Sequence, residues 1–143
     1  MAEITEKQAI QGFIDNLKRA SSLIKQCADP DKNPNSSHTF VKCMGSASGY
    51  ANILGNYQQN MDWYRVRDMI EDLTIQAANM AIDNFFGKFP ILANGENGFL
   101  RLAMTLNSVA EVGHKLATSK AVTRQQLVDA CNAREAYIGQ VGK

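Results

Sequence analysis

From Ile10 to Ile138 the apolar residues of this chain return at steps of three and four, and no segment sustains an alternation of two. Steps of three and four keep side chains on one face of an α-helix, whereas a half-buried strand needs a period of two. The chain is therefore confined to an all-α fold.

Proline divides the pattern. A proline inside a helix costs about 3 kcal/mol and removes a hydrogen bond, so Pro30, Pro34 and Pro90 mark connections. The first helix is expected to begin at Thr5, because Thr5 and Gln8 form a T-x-x-Q capping box, and to stop at Asp29-Pro30. Its inward face reads Ile10, Phe13, Ile14, Leu17, Ile24 and Cys27. Residues 29–37 are rich in turn formers and read as a loop. Ser37 then caps a second helix with Phe40, Val41, Met44, Ala47, Ala51 and Leu54 inward.

Beside that stripe lie Gly45, Ser48, Gly49 and Asn52. Each glycine weakens a helix by up to about 1 kcal/mol, and close approach of another helix is the natural compensation. The third and longest helix is capped by Asn60 or Asp62 and carries Val66, Met69, Ile70, Leu73, Ala77 and Met80. A second stripe, Ile75, Ala78, Ile82 and Phe86, makes its later half apolar on most sides, which predicts a central, covered helix. The apolar run Phe89 to Ala93 is expected to fold back as a plug over one end. A fourth helix carries Phe99, Leu102, Ala103, Leu106, Val109, Ala110, Gly113 and Ala117, and Thr123 with Gln126 repeats the T-x-x-Q cap before a short fifth with Leu127, Cys131 and Ile138 inward. The expected architecture is one compact domain over residues 1–143, a bundle of about five helices with mostly antiparallel neighbours.

A composition of 45% hydrophobic and 20% charged residues suits such a core and lies far from the signature of disorder. Lys+Arg 15 against Asp+Glu 14, scattered without blocks, gives a formal charge of +1. That argues against a binder held to nucleic acid by a dense basic surface. Met1 to Lys7 contains no apolar targeting core, and the longest uncharged stretch, Cys43 to Met61, is too polar to span a bilayer. A soluble, cytoplasmic protein with no membrane partner is expected. Cys27, Cys43 and Cys131 match no metal spacing and read as reduced thiols; a Cys27–Cys43 bridge would require export.

Glu111-Val112-Gly113-His114 is an E-x-x-H sequence, half of the motif that di-iron bundles place on two helices. With only two histidines, and His38 in no second copy of the motif, that site cannot be completed. A zinc set of Cys27, His38, Cys43 and His114 would need the first loop to fold against the fourth helix. Neither a metal nor a cofactor is expected. The common sequence signatures for hydrolysis and phosphate binding are absent, so no catalytic residue is assigned.

The densest cluster of binding-prone residues is Met61-Asp62-Trp63-Tyr64-Arg65-Val66-Arg67. Trp, Tyr and Arg combine large contact area with a directional polar tip. Helical spacing sends Trp63 to the core, pairs Arg67 with Glu71 and leaves Arg65 in solvent. Tyr64, Arg65 and Arg67 are candidates for a partner surface. Gly45 and Gly49, flanked by Tyr50, are candidates for a shallow groove or homodimer seam.

The function expected from these features is a non-enzymatic protein-interaction module, an adaptor, inhibitor or assembly subunit, whose partner is another protein or a second copy. One alternative is a nucleoprotein subunit that gathers Lys18, Arg19, Lys25, Arg65 and Arg67 into a stripe. Another is a metal- or cofactor-carrying bundle or enzyme using His114 and Glu111.

Overall fold

A computed structural model describes residues 4–29, 31–88, 90, 91, 95, 97–118 and 123–130. These form five helices: α1 (Glu6–Gln26), α2 (Ser36–Gln58), α3 (Asp62–Phe85), α4 (Gly98–Thr118) and α5 (Arg124–Ala130). The helices pack on one another as an all-α bundle, with no strand among the described residues.

The starts of α1 and α5 are set by the same chemistry. The Gln8 backbone N–H donates to Thr5 Oγ1 (3.1 Å), and the Thr5 N–H donates to Gln8 Oε1 (2.9 Å). Gln126 and Thr123 repeat the exchange at 3.2 and 2.8 Å. Reciprocal caps of this kind satisfy donors that the first helical turn leaves without an internal partner. The start of α2 departs from expectation: Asn35 occupies the cap without a side-chain bond, and Ser36 is buried with its hydroxyl donating to Gln26 Oε1 at 2.8 Å. Ser37 is thus a helical residue rather than the cap. At α3 the cap position is Met61, and Asn60 serves through its Oδ1, which accepts from the Asp62 N–H at 3.0 Å.

Long-range contacts set the directions. Ser21 Oγ on α1 donates to the Ala103 carbonyl on α4 (2.8 Å), while Phe13 lies against Gly113, so α1 and α4 run antiparallel. Tyr57 near the end of α2 donates to the Ile4 carbonyl ahead of α1, and Ser36 meets Gln26 at the other end, which makes that pair antiparallel too. On the next side Tyr64 faces Gly55, Arg67 meets Asn52, and Glu71 meets Ser48. The result is an up-down-up-down four-helix arrangement with α1 and α3 on one diagonal. Phe13 and Trp63 close that diagonal through an edge-to-face contact with centroids 5.2 Å apart.

The core contains Phe13, Leu17, Ile24, Met44, Leu54, Trp63, Ile70, Leu73, Phe99 and Leu106, all essentially without solvent exposure. Every apolar position expected inward on α4 is buried. Gln58 ties one end together: its Oε1 accepts from Trp63 Nε1 (2.8 Å), and its Nε2 donates to the Ala117 carbonyl (3.1 Å). The sides of the bundle are unequal, with contact between α3 and α4 the sparsest of the four.

Two expectations fail here. The third helix is the longest, at 24 residues, but its second stripe is not covered: Ile75, Ala78, Ile82 and Phe86 are all exposed. Val41, expected inward on α2, is exposed as well. Both errors have one cause, since periodicity ranks the faces of a helix but does not say how many of them a neighbour covers. In the connection between α3 and α4, Pro90 is buried and its carbonyl accepts from the Gly98 N–H (2.7 Å), whereas Ile91 is exposed. Phe89, Leu92 and Ala93 lie outside the described residues, as do Pro30, Cys131 and Ile138. Among the described helices none is long and apolar enough to cross a membrane.

Candidate interaction surface

The side of the bundle formed by α2 and α3 divides into two halves. In the half built from the end of α2 and the start of α3, polar side chains brace the helices internally. Tyr64 is half-buried; its ring occupies the space beside Gly55 and its hydroxyl donates to Asn56 Oδ1. Arg67 donates from Nη1 to Asn52 Oδ1 (2.8 Å), pairs with Asp68 (3.1 Å) and lies 5.3 Å from the Tyr64 ring centroid. Its partner is therefore not the expected Glu71, which instead receives a 3.4 Å bond from Ser48. Arg65 is exposed to solvent, as the spacing indicated, and there it pairs with Asp62. Trp63 is fully buried, as the spacing indicated.

The other half presents apolar surface to solvent. Ile75 is 60% exposed, Ile82 55%, Phe85 80% and Phe86 71%, and the two phenylalanine rings meet edge to face with their centroids 5.3 Å apart. The antiparallel register set by the contacts of Tyr64, Arg67 and Glu71 with α2 brings Gly45 level with Thr74, next to Ile75, and Val41 level with Ala78. Val41 is 52% exposed. Gly45 and Gly49 are also exposed, and a Cβ built on either would meet nothing within 4 Å. Among the described residues the expected compensation, close approach of another helix of the same bundle, is absent at these two positions. Tyr50 belongs elsewhere: it is half-buried, with its ring over Gly12 of α1.

The candidate residues thus separate. Tyr64 and Arg67 hold α3 to α2, Tyr50 holds α2 to α1, and Gly45 and Gly49 remain on the open face. Sequence reasoning missed Phe85 altogether and placed Val41, Ile75, Ile82 and Phe86 inside. One signal was present: adjacent positions on a helix lie about 100° apart, so Phe85 and Phe86 could not both point to one core.

The opposite, α1–α4 side holds a groove of about 340 Å³ lined by Ile14, Lys18, Ala110, Glu111, His114 and Lys115. Glu111 and His114 do share this groove, but two lysines stand beside them, and a divalent cation is repelled by such neighbours. Among the described residues no group of three or more His, Cys, Asp or Glu side chains is placed to share a metal ion. Cys27 and Cys43 are buried free thiols, with no bridge between them, and burial pushes the Cys27 thiol pKa up. The cations of the nucleic-acid alternative are divided: Lys18, Arg19 and Lys25 are on α1, Arg65 and Arg67 on the diagonal helix α3.

No family model matches the chain, and no curated protein or solved structure matches it.

Proposed function

We propose that the chain is a non-enzymatic, cytoplasmic protein-interaction module that works through the outer face formed by α2 and the later half of α3. One observation supports the reading above all: Ile75, Ile82, Phe85 and Phe86 stand more than half exposed on one helix of a bundle whose interior is otherwise well filled. Burying a large apolar side chain is worth about 1.5–3 kcal/mol, so leaving four of them in water forgoes stabilisation that a partner would supply. Contiguous apolar surface of this kind marks interaction sites. The two buried free thiols agree with a reducing compartment.

The division of labour along α3 supports the same reading. Its first half is fixed by Trp63, Tyr64 and Arg67, which gives the second half a rigid base from which to present side chains. Pre-ordered surfaces bind without first losing conformational entropy, and that favours a docking role for the exposed half.

A photoreactive side chain installed at Ile82 tests the proposal, with one at Gln11 on the outer face of α1 as control. Polypeptide adducts are expected from position 82 and not from position 11. Equal labelling from both positions, or none from position 82, would count against the assigned face.

A further inference from the structure

We infer that the occupant of this face is a second copy of the chain, related by a twofold axis that sets α3 antiparallel to its counterpart; the inference rests on the interaction surface proposed above.

Val41, Ile75, Ile82, Phe85 and Phe86 are each more than half exposed. An aromatic side chain carries 150–250 Å² and an aliphatic one less, so the two phenylalanines and three aliphatic residues together present on the order of 500 Å². A stable protein–protein contact needs about 800 Å² on each partner, with an apolar centre and a polar rim. The five side chains provide that centre, and the polar residues around them supply the remainder.

In a twofold contact one patch meets itself, so any charge at its middle is set near its own image. The stripe Ile75, Ala78, Ile82 and Phe86 contains no charged residue, and neither do Val41 and Gly45 beside it. Ala78 lies between the two isoleucines, and Gly45 on the neighbouring helix is level with Thr74, next to Ile75. Small side chains at the crossing let two backbones approach closely, and the open space over Gly45 is available for that purpose.

Glu71 lies one turn before Ile75 on α3, and Lys88 follows the helix end just past Gly87 (φ 81°), so the stripe is flanked by an acid at one end and a base at the other. Both residues are exposed. An antiparallel arrangement places Glu71 level with the partner's Phe86, two residues short of Lys88 and within reach of that long side chain, and the twofold axis repeats the pair. A parallel arrangement would set Glu71 against Glu71 and Lys88 against Lys88. The antiparallel axis passes near Ala78 and Asn79, and it brings Ile75 of one copy beside Ile82 of the other.

Sedimentation equilibrium of the purified chain over a wide concentration range tests the inference directly. A reversible monomer–dimer equilibrium is expected, and Ile82→Glu should weaken it at least about 100-fold while leaving the far-ultraviolet circular dichroism unchanged, because that side chain is exposed in the monomer. Glu71→Lys alone and Lys88→Glu alone should each weaken the dimer several-fold, and the two combined should restore it. A dimer indifferent to Ile82→Glu would lie elsewhere and overturn the inference. Single charge reversals without effect, or a double reversal that fails to restore association, would overturn the antiparallel arrangement. A chain that stays monomeric overturns the second copy as occupant. In that event foreign polypeptide adducts from position 82 leave the interaction surface standing, and no adducts would remove both.

Discussion

Gly113 and Gly49 are the same residue in the same kind of helix, yet their surroundings are opposite. A Cβ added to Gly113 would collide with the Phe13 ring, because α4 uses the missing side chain to seat an aromatic group from α1. Gly12 under Tyr50 and Gly55 under Tyr64 are used the same way, with ring atoms 2.5 and 2.8 Å from where a Cβ would stand. At Gly49 and Gly45 no described residue comes within 4 Å of where a Cβ would stand. A helical glycine costs up to about 1 kcal/mol wherever it occurs. At these three positions a packed ring offsets that cost; on the outer face of α2 nothing among the described residues does.

Substitutions can break this contrast. Phe13→Ala removes the ring that joins Gly113 to Trp63 across the diagonal, and a loss of about 3–5 kcal/mol is expected from denaturant unfolding. A loss below 1 kcal/mol would mean that the ring is not central to the core. Gly113→Ala should cost about 1–3 kcal/mol in the same assay, since the Phe13 ring must shift to admit the new methyl group. Gly49→Ala should instead raise stability by about 0.5–1 kcal/mol, because it adds helix propensity without a collision. If the two alanine substitutions changed stability in the same direction, the contrast between these glycines would be lost.

The smallest expected effect is on pH dependence. Burial raises the Cys27 pKa above its ordinary value of 9.0, so the native state holds this proton more tightly than the unfolded chain does. The contribution is present in full below the unfolded value and is lost as pH rises through the folded one. Unfolding midpoints should therefore be flat with respect to this thiol below that value and decline above it. The decline should be shallower in Cys27→Ala, and identical slopes would remove the assignment.

What the sequence disclosed and what it withheld follow a physical rule. The caps at Thr5 and Thr123 were legible because each is closed by a residue three positions away. The inward faces of α1 and α4 were legible because a single apolar stripe leaves little choice. The fate of the second stripe on α3 depends on which helices stand beside it, and that is decided by residues far away in the chain. Arg67 shows the same limit at one side chain. A local rule pairs it with Glu71, whereas folding offers Asn52, 15 positions earlier on α2. For the site, Gly45 and Gly49 could be named from spacing, but the phenylalanines beside them could not be placed outside until the bundle was closed.

Trp63 is the chain's one tryptophan, and it sits at the braced end of α3 with its ring sealed between the Phe13 edge and the Gln58 amide. Intrinsic fluorescence consequently watches the four-helix interior and little else. Its emission should move when the molecule melts, and it should remain silent through events confined to the far, oily end of the same helix. Anyone following encounters at that end by eye of the indole would see none of them; a dye attached beside Phe86 would.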